Sequence, residues 1–125
     1  MGHVEFSVSP TATGVREARL RVAELEGALS DLMLDDLRLL VSELVSNSIR
    51  HGELSPGDRI EVCLDWDTSR VRVEVTDAGR GFHPPPRVDH QSRESGWGLF
   101  IVDRIASRWG SDSGDHTCVW FEVDR

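Results

Sequence analysis

The stretch Val73–Phe82, "VEVTDAGRGF", joins the end of a strand to a carboxylate and two glycines. Read with a period of two residues, Asp77 lies in phase with the valines before it, on one face of the strand. A buried carboxylate is costly unless a group hydrogen-bonds to it. Because Gly79 and Gly81 carry no side chains, the backbone can turn tightly there, or another molecule can approach it closely. The stretch therefore predicts either a turn or a pocket at the end of a strand.

Alternation and helical spacing divide the rest of the chain into short elements. A helix cap is expected at Thr11 or Thr13, and Gly52 and Gly110 are expected to end helices. In chain order we expect a strand, two helices, a two-stranded hairpin, a helix and then one or two strands. The predicted elements are Val4–Val8, Thr11–Leu29, Asp35–Arg50, Arg59–Trp66, Arg70–Asp77, Gly98–Gly110 and His116–Val123.

Helices and antiparallel strands in a chain of 125 residues predict a single α+β domain over residues 1–125. The expected architecture is a two-layer sandwich with the helices on one face of the sheet. Between Gly79 and Gly98 the sequence is rich in glycine, proline and polar residues and has no core pattern. Segments of this kind are often functional lids, although disorder is the alternative.

Charge and composition narrow the classes of partner. The chain has 14 Lys and Arg against 22 Asp and Glu, a net charge of −8, so nucleic acid and anionic membranes are not expected partners. No apolar run reaches the roughly 20 residues of a membrane helix, and "MGHVEFSVSP" has no signal-peptide pattern. Cys63 and Cys118 stand singly in apolar runs, which favours buried free thiols that serve packing. We therefore expect a cytoplasmic protein.

The segment "SELVSNSIRHG" places two polar residues on its predicted helix. Glu43 and Asn47 are one turn apart, at the margin of the apolar stripe. A carboxylate and an amide in this arrangement could reach a metal ion or a water molecule, and an ordinary solvated helix edge is the alternative.

The segment "SGWGL" places Gly96 and Gly98 just before a helix. The exposed backbone N–H groups at a helix start attract phosphate oxygens. A single pair of glycines is weak evidence by itself, and the three clusters indicate more together than separately.

"ELVSNSIRHG", "DAGRGF" and "SGWGLFIV", in this order, resemble the N box, the adenine motif and the second glycine box of the GHKL ATP-binding superfamily. That superfamily includes gyrase, Hsp90, histidine kinases and MutL. The His-Gly after the asparagine and the ending "HTCVWFEV" are most similar to the RsbW-type anti-sigma factor serine/threonine kinases. The resemblance covers nearly the whole chain. It implies the Bergerat, or histidine kinase-like ATPase, fold, with a mixed, mostly antiparallel sheet covered on one face by three helices.

The resemblance also implies ATP and Mg²⁺ as cofactors. By this resemblance, Asp77 accepts a hydrogen bond from the adenine amino group, and Gly79 and Gly81 make room for the base. Thr117 resembles the strand threonine that joins Asp77 around the adenine, directly or through water. Trp97 lies between two glycines, where a nucleotide or lid contact is expected. The full set of implied nucleotide-binding residues is Asn47, Asp77, Gly79, Gly81, Gly96, Trp97, Gly98, Leu99 and Thr117.

The catalytic assignments rest on the same resemblance. Asn47 is similar to the residue that holds Mg²⁺, an ion that suits an amide oxygen. Glu43 resembles the general base, and Gly96 and Gly98 resemble the phosphate cradle. His51 matches the family's histidine by position, and a helix-end cap or a packed imidazole is an equally good interpretation.

One position departs from the family pattern. Kinases of this type often have an arginine just before the Ser-Gly of the second glycine box, where this chain has Glu94, and Arg93 precedes it. The resemblance implies a kinase that phosphorylates an anti-sigma factor antagonist of the STAS type and holds a sigma factor, with a homodimer as a further possibility. Since a carboxylate beside a triphosphate opposes phosphoryl transfer, the alternative is a nucleotide-dependent binding module without transfer activity.

Overall fold

The computed structural model describes residues 1–79, 97–113 and 115–125 of the chain. In this part, none of the helices combines the length and apolar character needed to cross a membrane. The elements in chain order are β1 (Gly2–Val8), α1 (Ala12–Ala23), α2 (Asp31–His51), β2 (Ile60–Trp66), β3 (Arg70–Asp77), α3 (Trp97–Ile105), β4 (Arg108–Ser113) and β5 (Thr117–Asp124).

The strands form one sheet in the order β1-β2-β3-β5-β4. The predicted hairpin is present as β2 and β3, with Val62 opposite Val75 and Trp66 opposite Val71. The expected mixed, mostly antiparallel sheet is antiparallel in each of its described pairings. The α+β fold class predicted from the sequence is confirmed.

The core lies between the helices and one face of the sheet. Along β3, Val71, Val73 and Val75 are buried while the residues between them are partly exposed, as the alternation predicts. Phe121 of β5 is the largest fully buried side chain among the described residues, and α2 contributes a buried stripe from Leu34 onward. The described helices therefore leave the other side of the sheet, which we call the open face, uncovered.

The first two helices differ from the prediction at their ends. Thr11 is the cap of α1 and accepts a hydrogen bond from the Gly14 N–H. The helix ends at Ala23, not near Leu29, because Gly27 has a φ of 94° that a continuing helix cannot contain. The cap of α2 is Ser30, so this helix begins one turn earlier than predicted.

The largest difference from the prediction is β4. The sequence predicts a helix up to Gly110, whereas α3 ends at Ile105 and the following residues pair with β5. Trp109 continues the apolar spacing that suggested a helix, and it packs against the core from the strand instead. A Cβ on Gly110 would lie 2.9 Å from the ring of Trp120, so this glycine is needed for strand packing and not for a helix stop.

The two cysteines are free thiols, as predicted, but their expected burial is wrong. Cys63 faces Glu5 and Glu74 on the neighbouring strands, and Cys118 pairs with Thr76. Both sulfur-bearing residues are half-buried because they lie on the open face, in phase with the polar residues of their strands.

Candidate functional site

The end of β3 brings together three of the predicted adenine-site residues. Asp77 is 4% exposed and lies opposite Thr117, which is 2% exposed. The Gly79 N–H donates to Asp77 Oδ1 at 2.6 Å, and the Thr117 hydroxyl donates to the Gly79 carbonyl oxygen at 2.8 Å. The buried carboxylate predicted from the phase of the strand is therefore stabilised by its own turn, and Oδ2 remains available as a second acceptor with respect to the described residues.

Gly79 also joins this strand end to the end of α2. A Cβ placed on Gly79 would lie 2.5 Å from the carbonyl oxygen of Gly52 and 2.6 Å from Asp77 Oδ1. Side chains cannot be accommodated at such distances, so the glycine permits a close approach of two backbones. This contact brings the "RHG" end of α2 to the turn after Asp77. Contact with a base at Gly79 stays a prediction.

Asn47 lies one turn before that end of α2 and is 2% exposed. Its Oδ1 accepts a hydrogen bond from Arg50 Nη2 at 2.8 Å. Its buried Nδ2 has no hydrogen-bond partner in the described part of the chain. An unpaired buried polar group costs about 1–3 kcal/mol, so the amide marks a place where a ligand or a water molecule would be stabilising.

The donor chemistry of Asn47 fits Mg²⁺. A carbonyl oxygen has two lone pairs, so Oδ1 keeps one acceptor site beside the bond from Arg50. Amide oxygens are suitable ligands for this hard cation. The residue can hold the ion, although the guanidinium of Arg50 places a positive charge next to the ligand atom.

Glu43 lies one helical turn before Asn47 on α2 and is half-buried. Within residues 1–79, 97–113 and 115–125, its carboxylate makes no hydrogen bond or ion pair. A carboxylate near the metal ligand and without a structural partner can accept a proton from a substrate. Its assignment as general base stays a prediction.

The start of α3 supplies the expected helix terminus. The helix begins at Trp97 and packs against α2, so the backbone N–H groups of Gly98 and Leu99 belong to its first turn. First-turn N–H groups have no partner within a helix and attract anions. The predicted residues Gly81 and Gly96, the pair Arg93 and Glu94, and the side chains of Trp97 and Leu99 lie outside what the structure describes.

His51 is the last residue of α2, while the cap position belongs to Gly52, whose N–H donates to the Ser48 carbonyl oxygen at 2.8 Å. The imidazole is half-buried. Burial, together with the positive charge of Arg50, lowers the pKa of His51 and favours the neutral ring. The structure thus places His51 within the last helical turn, next to the glycine that contacts Gly79.

Sequence reasoning missed three features of this site. Arg50 was not considered, although its spacing of three from Asn47 places both side chains on one helix face. Gly52 was interpreted only as a helix stop, and its contact with Gly79 joins residues that no periodic pattern connects. Ser48, buried at 4%, was also not considered.

Comparisons with known proteins show the family of this chain and its fold. Residues 8–123 match the family model described as the histidine kinase-like ATPase domain. The chain is similar to the serine-protein kinase RsbW of Oceanobacillus iheyensis, with 25% identity over 82% of this chain and 74% of that protein. It is similar to an RsbW of Staphylococcus epidermidis, with 26% identity over 58% of this chain and 54% of the relative.

A third relative is the anti-sigma F factor of Clostridium acetobutylicum, with 33% identity over 51% of this chain and 46% of that protein. The chain spans about half the length of the staphylococcal and clostridial relatives. A crystal structure of the RsbU and RsbW domains of a Mycobacterium tuberculosis protein superposes with a TM-score of 0.75 at 19% identity, covering 98% of this chain and 32% of the other. This structural similarity shows the fold.

Proposed function

Because the chain belongs to the histidine kinase-like ATPase domain family, we propose that it binds ATP with Mg²⁺ and acts as an anti-sigma factor with serine/threonine kinase activity. ATP binding is supported by the family itself. The kinase and anti-sigma activities are supported by the names of its relatives, serine-protein kinase RsbW and anti-sigma F factor. The proposed protein partners are an antagonist that carries the phosphorylated hydroxyl and a sigma factor, and the proposed location is the cytoplasm.

The observation that carries the proposal is the buried polar cluster at the end of β3. Asp77 Oδ1 is occupied by the Gly79 N–H, so Oδ2 can accept a hydrogen bond from the exocyclic amine of adenine. Thr117 fixes the turn through the Gly79 carbonyl oxygen. The Nδ2 of Asn47, which has no partner among the described residues, lies near the end of α2 that contacts this turn. If the cluster served only stability, this buried amide would be expected to have a hydrogen-bond partner within the protein.

The same residues suggest how phosphoryl transfer would occur. Glu43 would accept the proton of the substrate hydroxyl while that oxygen attacks the γ-phosphorus and the bond to the ADP oxygen breaks. The N–H groups in the first turn of α3 would hold phosphate oxygens. Bound Mg²⁺, held by Asn47, would neutralise charge on the phosphates.

A second function is favoured by one position in the sequence. Glu94 stands where kinases of this type often have an arginine, and by that resemblance it would bring a negative charge to the phosphates in place of a positive one. A module that uses nucleotide only to change its affinity for a protein partner transfers no phosphate, so this negative charge would not impair its function. The alternative is therefore a nucleotide-binding regulatory module without kinase activity.

The test is transfer from ATP labelled on the γ-phosphate to a panel of STAS-type antagonist proteins, with ATP affinity measured separately by calorimetry. Transfer by the wild-type chain, lost in Glu43→Gln, supports the kinase. Binding without transfer, with activity gained in Glu94→Arg, supports the module. Failure of the wild-type chain to bind ATP would overturn both functions.

A further inference from the structure

On the open face of the sheet, three donor atoms from β1 and β2 converge. His3 Nδ1 lies 2.5 Å from Asp65 Oδ1, and Cys63 Sγ lies 3.6 Å from Asp65 Oδ2 and 4.0 Å from His3 Nδ1. These three ligand atoms are all within 4.8 Å of one another. We propose that His3, Cys63 and Asp65 form a binding site for a divalent transition metal of the zinc type, separate from the nucleotide site.

The donor set and its spacing suit zinc. Nitrogen, sulfur and carboxylate oxygen are the three ligand types of Zn²⁺, with bonds of about 2.0–2.3 Å, so neighbouring donors in a tetrahedral site lie about 3.3–3.6 Å apart. The contacts of the sulfur are already near that spacing. The contact between His3 and Asp65 must open by about 0.8–1.1 Å, and the contact between Cys63 and His3 must shorten by about 0.4–0.7 Å. On binding, the thiol proton of Cys63 and any proton on Nδ1 are released to solvent.

The second nitrogen of His3 supports the proposal independently. Its Nε2 lies 3.4 Å from Glu5 Oε1, on the same strand. Metal-bound histidines commonly direct their other ring nitrogen to a carboxylate, which fixes the ring orientation and raises the basicity of the ligand. Glu5 is thus a positioning residue, and the imidazole presents Nδ1 to the cluster.

The surrounding charges also favour a cation. Arg72 is the nearest arginine by strand pairing, since it lies opposite Asp65, but its guanidinium bonds to Glu74 and Glu122. It also stacks over the ring of Trp120 at 4.4 Å. The carboxylate of Asp65 therefore has no arginine partner in the described part of the chain, and its contacts are His3 and Cys63. A divalent ion would supply positive charge beside this carboxylate when the ring of His3 is neutral.

The position of the cluster indicates what bound metal would do. β1 is an edge strand that pairs only with β2 in the described sheet, and the cluster joins these two strands across their open face. Half of each of the side chains of His3 and Asp65 is exposed, so an ion can enter from solvent. A bound metal would fix the edge strand and stabilise the folded chain by linkage.

The first experiment titrates Co²⁺ alone into the metal-free protein and records the absorption spectrum. Cobalt replaces zinc in such sites, and a thiolate ligand produces a near-ultraviolet charge-transfer band. We expect this band in the wild type and in Cys118→Ser, whose thiol lies on the same face away from the cluster, and no band in Cys63→Ser. Absence of the band in the wild type, or its loss in Cys118→Ser alone, would overturn the proposal.

The second experiment measures Zn²⁺ affinity by competition with a chelator, with circular dichroism to confirm that each variant is folded. His3→Gln and Asp65→Asn remove ligands and should weaken binding more than Glu5→Gln, for which we expect a loss of about 10–100-fold. Zn²⁺ should raise the melting temperature of the wild type but not of Cys63→Ser. Equal affinities in the wild type and in all three carboxylate or imidazole variants would show that the bound zinc is not held by this cluster.

Discussion

In the described part of the chain, polar groups are buried in two places, and these differ in whether the protein supplies hydrogen-bond partners for them. On the open face, Glu122 is 8% exposed, and Arg108, Arg72 and Arg70 approach its carboxylate at 3.0, 3.2 and 3.5 Å. At the end of α2, Asn47 is buried more completely, yet its Nδ2 has no partner in the described chain. The first group is satisfied by the protein, while the second requires something else.

This difference separates a structural role from a functional one. A buried charge with several partners costs little and helps to fix the strands that supply them. A buried amide with an empty donor is retained against its cost, which is reasonable where a ligand completes it. We therefore expect substitutions at Glu122 to change stability, and substitutions around Asn47 and Asp77 to change nucleotide binding or transfer.

The largest effect is expected at Glu43. If the chain is a kinase, Glu43→Gln should lower phosphoryl transfer by roughly 10²–10⁴-fold, the usual contribution of a positioned general base. Transfer is measured with labelled ATP, and ATP affinity should change little because the amide keeps the size of the side chain. A variant that loses ATP affinity in proportion to transfer would show that Glu43 binds nucleotide and is not the base.

The next effect is expected at Asp77. Asp77→Asn can still accept the Gly79 N–H through Oδ1, but it replaces the remaining acceptor by a donor that faces the adenine amine. ATP affinity should fall by about 1–3 kcal/mol, or roughly 5–150-fold. Calorimetry checks this loss, and the melting temperature of the variant without nucleotide is the control. Unchanged affinity would remove Asp77 from the adenine site.

Much of the fold follows from local patterns in the sequence. The hairpin, the long helix and the last strand are predicted because their alternation or helical spacing matches the face that they bury. A further strand near β5 is left open by the sequence, but the residues of β4 are assigned to the preceding helix, because "SRWGSDS" has weak strand propensity and becomes a strand through pairing with β5. The indole N–H of Trp109 donates to Asp103 at 3.0 Å, which ties this strand back to α3. Such tertiary contacts carry no periodic signal.

The candidate site is also predicted from the sequence only in part. Burial of Asp77 is predicted from its phase along the strand, and the glycines beside it indicate a turn. Full burial of Asn47 is not predicted, since helical spacing places this residue only at the margin of the apolar stripe. The contact between Gly52 and Gly79 depends on how α2 lies on the sheet, which local patterns do not specify.

The satisfied site gives a prediction of intermediate size. Glu122→Gln keeps the shape of the side chain but weakens its bonds to three arginines whose side chains are 34–50% exposed. Because solvent screens these partners, the free energy of unfolding should fall by only about 1–2 kcal/mol. Urea unfolding measures the change. ATP affinity should not change, and a loss of binding here would remove the distinction between the two sites.

The wild type and Glu122→Gln also test how the free energy of unfolding depends on pH. Burial raises the pKa of Glu122, but the hydrogen bonds and charges of Arg108, Arg72 and Arg70 outweigh it, and the net pKa lies below the ordinary 4.5. The unfolded chain therefore binds more protons than the folded chain as the pH drops below that value. The stability advantage of the wild type over Glu122→Gln should be constant above 4.5 and should shrink as the pH falls through the lowered pKa. An advantage that does not depend on pH would show that ionisation of Glu122 contributes nothing.

The smallest effect sharpens the role of Asn47. Arg50 donates to Oδ1, the atom assigned to Mg²⁺, so its guanidinium charge opposes the metal. Arg50→Met keeps an apolar stem without the charge and should raise ATP affinity about 2–10-fold, the scale of one partly exposed hydrogen bond, only when Mg²⁺ is present. Asn47→Ala is the matched variant, and it should lose affinity only with Mg²⁺. Calorimetry with and without EDTA makes the comparison.

If Arg50→Met lowers affinity equally in both conditions, Arg50 contacts the phosphates and does not compete with the metal. Equal losses for Asn47→Ala would assign Asn47 to packing and leave its buried amide without a ligand.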